Sequence, residues 1–190
     1  MLKEIKQTAK HSVVYAIGNF GIKFVGFLLI PFYTNPTLLS INDYGALAVL
    51  EATLAVLVGV LSLSMESSFS RWFWDKKFVN EQKSLFFTTL SFLLLILVPA
   101  TISLSYFSVD LSTLIFSNTS YSFLLKLTIF TAAFQVTNNL TLWLLRLKSK
   151  STFFVSIQIF KLFSLLILII WGLKYKGLGL LAICQASLIV

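Results

Sequence analysis

Residues 84–109 read SLFFTTLSFLLLILVPATISLSYFSV, 26 consecutive positions without a charged side chain. About 20 predominantly apolar residues in helical form cross the roughly 30 Å hydrocarbon core of a bilayer. Two further uncharged runs, Phe24–Asn42 and Leu127–Leu145, are each 19 residues long. The expected fold class is all-α, a polytopic transmembrane helix bundle of about six spans. Pro99 lies within the longest run and deprives the Leu95 carbonyl of its helical donor, so a kink is expected there.

Composition leads to the same reading. Hydrophobic residues make up 57% of the chain and charged residues 12%, against roughly 25% charged in a soluble domain. Nineteen Phe and four Trp suit lipid-facing and interfacial surface. The net charge of +8 does not point to nucleic acid, because the basic residues punctuate the apolar spans and do not gather on one face. Cys184 is the single cysteine, which leaves no internal disulfide and no cysteine metal cluster. No metal site and no cofactor is expected.

The spans are expected at about 12–33, 44–67, 84–107, 123–147, 152–171 and 177–190, in a single bundle covering 1–190. Residues 1–11, with Lys3, Lys6 and Lys10 around Leu2, Ile5 and Ala9, read as a basic interfacial segment. The last span has only 14 residues, about 21 Å of helix, and reads as a span cut within a longer protein. Asn35-Pro36 and Asn42-Asp43 mark a short turn between the first two spans. With a cytoplasmic N-terminus, the inside segments hold Lys3, Lys6, Lys10, Arg71, Lys76, Lys77, Lys83, Arg146, Lys148 and Lys150. The outside segments hold only Lys174 and Lys176. That asymmetry orients the N-terminus inward, in a multi-pass protein of the cytoplasmic membrane.

The first 75 residues carry a resemblance. A basic start leads into Gly21-Ile22-Lys23-Phe24-Val25-Gly26-Phe27-Leu28-Leu29-Ile30-Pro31. A turn closing on Asn42-Asp43-Tyr44-Gly45 follows, and the next span ends on Ser70-Arg71-Trp72-Phe73. This resembles the N-terminal part of the Wzx-type polysaccharide-biosynthesis flippases, in the superfamily of the multidrug and toxic-compound extruders. The resemblance implies two helical bundles around a V-shaped cavity that opens to alternate sides. The implied substrate is an undecaprenyl-pyrophosphate-linked oligosaccharide of cell-surface polysaccharide synthesis. Membrane lipids and polysaccharide polymerase or assembly proteins are the further partners implied, with no nucleic acid.

Several polar residues fall inside the spans, where ionisable groups are costly and face a bundle interior or a water-filled cavity. Lys23 lies about 16 Å deep by helical rise, on one face with Asn19 and Tyr15. It reads either as a pathway cation, which the resemblance favours, or as the partner of a carboxylate. Lys161 is at similar depth counted from Lys150, and Gln158 precedes it by one turn. Two such ammonium groups would hold a pyrophosphate as adaptable point charges. Lys126 sits close enough to a span end for its stem to snorkel. Glu51, about 10 Å into the second span, reads as an ion-pair partner of Lys23 or as a site of proton or sodium coupling. Gln135, Asn138 and Asn139 lie near mid-membrane, with Gln135, Asn139 and Arg146 on roughly one face. Interhelical hydrogen bonding and lining for a hydroxyl-rich sugar both account for them.

The sequence contains no HExxH, no phosphate-binding glycine loop and no nucleophile beside a base, so no enzyme is expected. A multidrug-type cation antiporter of similar fold would call for more interior acid than Glu51. A membrane enzyme of polysaccharide assembly would need large outer loops, and here the first two are short, with one acid each, Asp43 and Asp110.

Overall fold

The computed structural model describes residues 27, 29–78, 80–174 and 179–189, and among them the chain is all-α, with no strand. Backbone donors and acceptors cannot find water in a hydrocarbon core, so apolar runs of this length satisfy them within helices. Residues 29–33 form α1; α2 is Ile41–Leu61, α3 Met65–Phe73, α4 Gln82–Tyr106, α5 Ser108–Phe116, α6 Ser122–Leu147, α7 Ser151–Lys174 and α8 Leu180–Ile189. A single 3₁₀ turn, Thr119–Tyr121, precedes α6. Three of these helices, α2, α4 and α7, are long and apolar enough to cross a membrane. α6 has the length, 26 residues or about 39 Å, but its central polar residues lower its hydropathy.

Polar caps and left-handed residues set the boundaries. The Ser40 hydroxyl accepts the Asp43 N–H at 3.1 Å, and the Asp43 carboxylate accepts the Ser40 N–H at 3.3 Å. This reciprocal box starts α2 at Ile41. Asn42 and Asp43 therefore lie in the first helical turn, not in the turn expected of them. The turn itself is built by Asn35, whose Oδ1 accepts the Thr37 N–H at 3.0 Å and the Thr37 hydroxyl at 2.8 Å. α6 ends with Ser149 at φ 54°, where Ser149 N–H donates to the Arg146 carbonyl at 2.9 Å and Lys150 N–H to that of Leu145 at 3.0 Å. Those two bonds satisfy carbonyls that the last turn leaves open.

The second span is shorter than expected. α2 stops at Leu61, because Leu63 and Ser64 turn into the left-handed region at φ 47° and 52°. The chain restarts as α3, a nine-residue helix that buries Phe69 and Phe73 and leaves Arg71 and Trp72 exposed. The stretch after span three, expected as an outer loop, is also helical. α5 begins two residues beyond α4, buries Ser108 and Ser112, and carries Asp110 in its first turn. As helices, α4, α6 and α7 begin and end within three residues of the stretches 84–107, 123–147 and 152–171.

The chain forms two compact units. One contains the described residues up to Tyr44 together with Leu145–Ala186; the other contains Gly45–Leu144 with Ser187–Ile189. In the first, Leu29, Phe154, Ile169, Leu173, Ile183 and Cys184 are buried. There α7 and α8 approach so closely that a Cβ built on Gly172 would lie 2.6 Å from the Ala182 Cβ. Small residues of this kind let membrane helices meet backbone to backbone. In the second unit, Phe69, Phe73, Leu93, Leu97, Leu125, Ile129, Ala132, Val136 and Leu140 form the core. Its α3–α4 corner is fixed by edge-on ring pairs, Phe69 with Phe73 at 5.4 Å and with Phe86 at 5.9 Å, and by the Gln82 amide donating to the Phe73 carbonyl at 3.2 Å. Such ring pairs contribute about 0.5–1.5 kcal/mol beyond their buried area.

Candidate functional site

Helix α6 is the best-packed long element of the second unit. Leu125, Ile129, Ala132, Val136 and Leu140 recur at three- and four-residue spacing and are all buried. Buried Thr128 and Thr131 turn their hydroxyls back onto the Leu124 and Leu127 carbonyls at 3.0 and 2.8 Å, so neither leaves a polar atom unsatisfied. Gln135, Asn138 and Asn139 differ. They sit at the middle of the helix, Gln135 exposed and both asparagines half-buried, with no hydrogen bond among the described residues. Gln135 lies one turn after buried Thr131 and two turns before buried Leu142, on the same side of the helix. Its amide is thus reachable on a side of α6 that is otherwise packed. Each of the three amides offers two N–H donors and a carbonyl acceptor, the complement of a hydroxyl-rich ligand.

In the other unit, α7 carries Gln158 and Lys161 one turn apart. Both are half-buried, and neither has a partner among the described residues. Lys161 is ten residues into a 24-residue helix, about 15 Å from its start. The same unit holds Arg146, whose guanidinium carbon lies 4.7 Å from the ring centroid of fully buried Phe154 and so braces the α6–α7 connection. Arg146 packs against a ring at the helix end, apart from the mid-span amides with which it shares a helical face.

Glu51 is exposed on α2, about 15 Å along the helix from Ile41, with no ion pair among the described residues. Lys23 and Asn19 lie outside the described residues, so the structure describes no Lys23–Glu51 pair. Lys126 is exposed one turn into α6, where its stem can reach a headgroup. Among the described residues, no three His, Cys, Asp or Glu side chains come together as a metal site.

Two polar features have no counterpart in the sequence reading. The Trp143 indole N–H donates to the Glu66 carboxylate, tying α6 to α3 across 77 positions of sequence. Beyond Pro99, Thr101, Ser105 and Ser108 bury three hydroxyl oxygens without partners among the described residues. Their i, i+4, i+7 spacing was readable as a face; their burial was not.

No family model matches the chain, and no solved structure matches it. A stretch of 65 residues, 34% of the chain, is 35% identical to Lsg locus putative protein 1 of Haemophilus influenzae. The match spans 16% of that protein's length.

Proposed function

We propose that this chain is part of a cytoplasmic-membrane flippase that carries a polyprenyl-pyrophosphate-linked oligosaccharide outward, with its N-terminus in the cytoplasm. The observation that carries the reading is the set of unengaged amides, Gln135, Asn138 and Asn139, halfway along the best-buried long helix. Polar groups at that depth are costly unless they meet protein, water or a ligand. A sugar moving through a bilayer exchanges hydrogen bonds with water for hydrogen bonds with such amides. The half-buried ammonium of Lys161, with Gln158 a turn away, supports the second half of the substrate, since a lysine contacts a pyrophosphate without demanding fixed geometry. Lys23 and Asn19 complete the proposed set on the first span.

In this mechanism the headgroup enters from the cytoplasmic side while the polyprenyl tail stays in lipid. One bundle then rocks against another around a mid-membrane site. Exposed Glu51 is the residue proposed to take up a proton or sodium ion during the cycle. The test is translocation of lipid-linked oligosaccharide in cells producing the whole protein, with membrane-inserted levels matched across variants. Lys161→Ala and Lys23→Ala should each lower export, and Lys→Arg should be milder. Rescue of Lys23→Ala by Glu51→Ala would assign Lys23 to an ion pair and remove it from the substrate set. Orientation is checked separately by labelling in intact cells. Cysteines at Lys77 and Ser149 should resist an impermeant thiol reagent, and one at Asn118 should react; the reverse pattern overturns the N-in topology.

A further inference from the structure

The outward side of α4 carries a shallow groove lined by Ser84, Phe87, Thr88, Ser91, Phe92 and Leu95. From Ser84 to Leu95 it spans eleven helical rises, about 16 Å, which is half of a roughly 30 Å hydrocarbon core. A groove of that length fits one acyl chain of one leaflet. Its floor is compatible with hydrocarbon because the Thr88 hydroxyl bonds to the Ser84 carbonyl at 2.9 Å and turns its methyl outward. Phe87 and Phe92, both exposed, wall the groove.

At its Ser84 end the groove opens on the α3–α4 corner. Lys83 lies one turn before Phe87, and Arg71, Lys76 and Lys77 belong to the same corner; all four are exposed, and none has an ion pair among the described residues. Two carboxylates accompany them. Asp75 accepts the Lys77 N–H at 2.9 Å, and Glu81 stands exposed before α4. Trp72 and Trp74 are exposed beside these charges, Trp72 under the Arg71 guanidinium at 5.9 Å. Exposed indoles with unpaired cations characterise the headgroup level of a membrane. The corner is held to the groove wall through the ring contacts of Phe69 with Phe86 and of Phe86 with Phe87, at 5.9 and 5.7 Å.

We infer that this corner and groove together form a binding site for one anionic phospholipid of the surrounding leaflet. Its phosphate is held by Lys76, Lys77 and Lys83, and one acyl chain lies between Phe87 and Phe92. Charge at one end, hydrocarbon at the other and a length of one leaflet favour this occupant over a second protein helix. A basic residue near an anionic headgroup contributes about a fivefold change in binding, and screening by salt reduces the sum over several such residues.

Native mass spectrometry of the full chain in detergent micelles, with dioleoylphosphatidylglycerol or dioleoylphosphatidylethanolamine added, measures the site directly. The expected result is one retained phosphatidylglycerol, preferred roughly tenfold over the zwitterionic lipid. The combined variant Lys76→Gln, Lys77→Gln, Lys83→Gln should lose the preference, and Lys→Arg at the same three positions should keep it. Ser91→Trp should fill the groove and lower retention with the cations intact. Equal retention of the two lipids by the unaltered chain overturns the inference, as does a preference that survives the glutamine variant. A disulfide-linked dimer of Ser91→Cys in a Cys184→Ser background in native membranes also overturns it, by placing a second copy in the groove.

Discussion

Helices α4 and α6 have nearly the same length, 25 and 26 residues, yet α4 buries three side chains and α6 nine. α4 is the more apolar of the two, and its buried set is a thin line, Leu93, Leu97 and Thr101, at four-residue spacing. Phe87, Phe92, Leu94, Leu95, Val98 and Ile102 are left exposed, with Leu95 at 72%. α6 reverses this arrangement. Nine of its residues are packed, and at mid-length the exposed Gln135 amide and the half-buried Asn138 and Asn139 stand beside exposed Phe130 and Phe134. In water, the buried helix of a pair would be the greasier one. In a bilayer the solvent is hydrocarbon, so apolarity marks the helix that faces outward, and polarity marks the one whose neighbours are protein, water or cargo.

The contrast can be broken most directly by truncation. Leu125→Ala or Ile129→Ala on α6 should cost about 2–5 kcal/mol, because the cavity left in a packed core does not refill. Leu95→Ala on α4 should stay within about 0.5 kcal/mol, since lipid replaces the lost contacts. Unfolding midpoints in mixed micelles of a denaturing and a mild detergent measure both, and equal losses would show that α4 is not lipid-facing. The next largest effect concerns transport. Gln135→Ala with Asn139→Ala should reduce oligosaccharide export about tenfold, equivalent to roughly 1.4 kcal/mol, with little change in stability. Ser103→Ala, on an exposed position of α4, should leave export unchanged in the same assay. Finally, each helix has a polar tie to α3. Glu66→Gln weakens the charge-assisted bond from Trp143 and should cost about 1 kcal/mol, whereas Gln82→Ala removes a neutral bond to the Phe73 carbonyl and should cost about 0.5 kcal/mol. The same unfolding measurement ranks them, and the reverse order would shift the weight of the α3 anchor from α6 to α4.

The long helices were legible because a bilayer sets a length that uncharged runs either meet or miss; α4, α6 and α7 begin and end beside polar or basic residues. What hydropathy could not show was where the backbone turns. Leu63 and Ser64 are ordinary span residues by composition, and the left-handed conformation that ends α2 is a property of the folded chain. α3 and α5, nine residues each, are too short to register as spans; α3 mixes polar and aromatic residues, and α5 hides its serines while exposing Leu114 and Ile115. Of the candidate site, the positions of Gln135, Asn139, Gln158 and Lys161 could be read from helical spacing. Whether their polar groups were already engaged could not, because that depends on what packs around them.

The contact between Gly172 and Ala182 constrains how this protein can vary over time. A Cβ at position 172 would stand 2.6 Å from the Cβ of Ala182 and 3.4 Å from its Cα, so the site has room for one methyl group between two backbones. Gly172→Ala alone would force α7 and α8 apart, while exchange of the pair, alanine at 172 with glycine at 182, keeps the volume constant. The two positions are therefore one evolutionary unit. Divergent descendants of this chain should hold a glycine at one position or the other and reach the exchange through an intermediate with glycine at both.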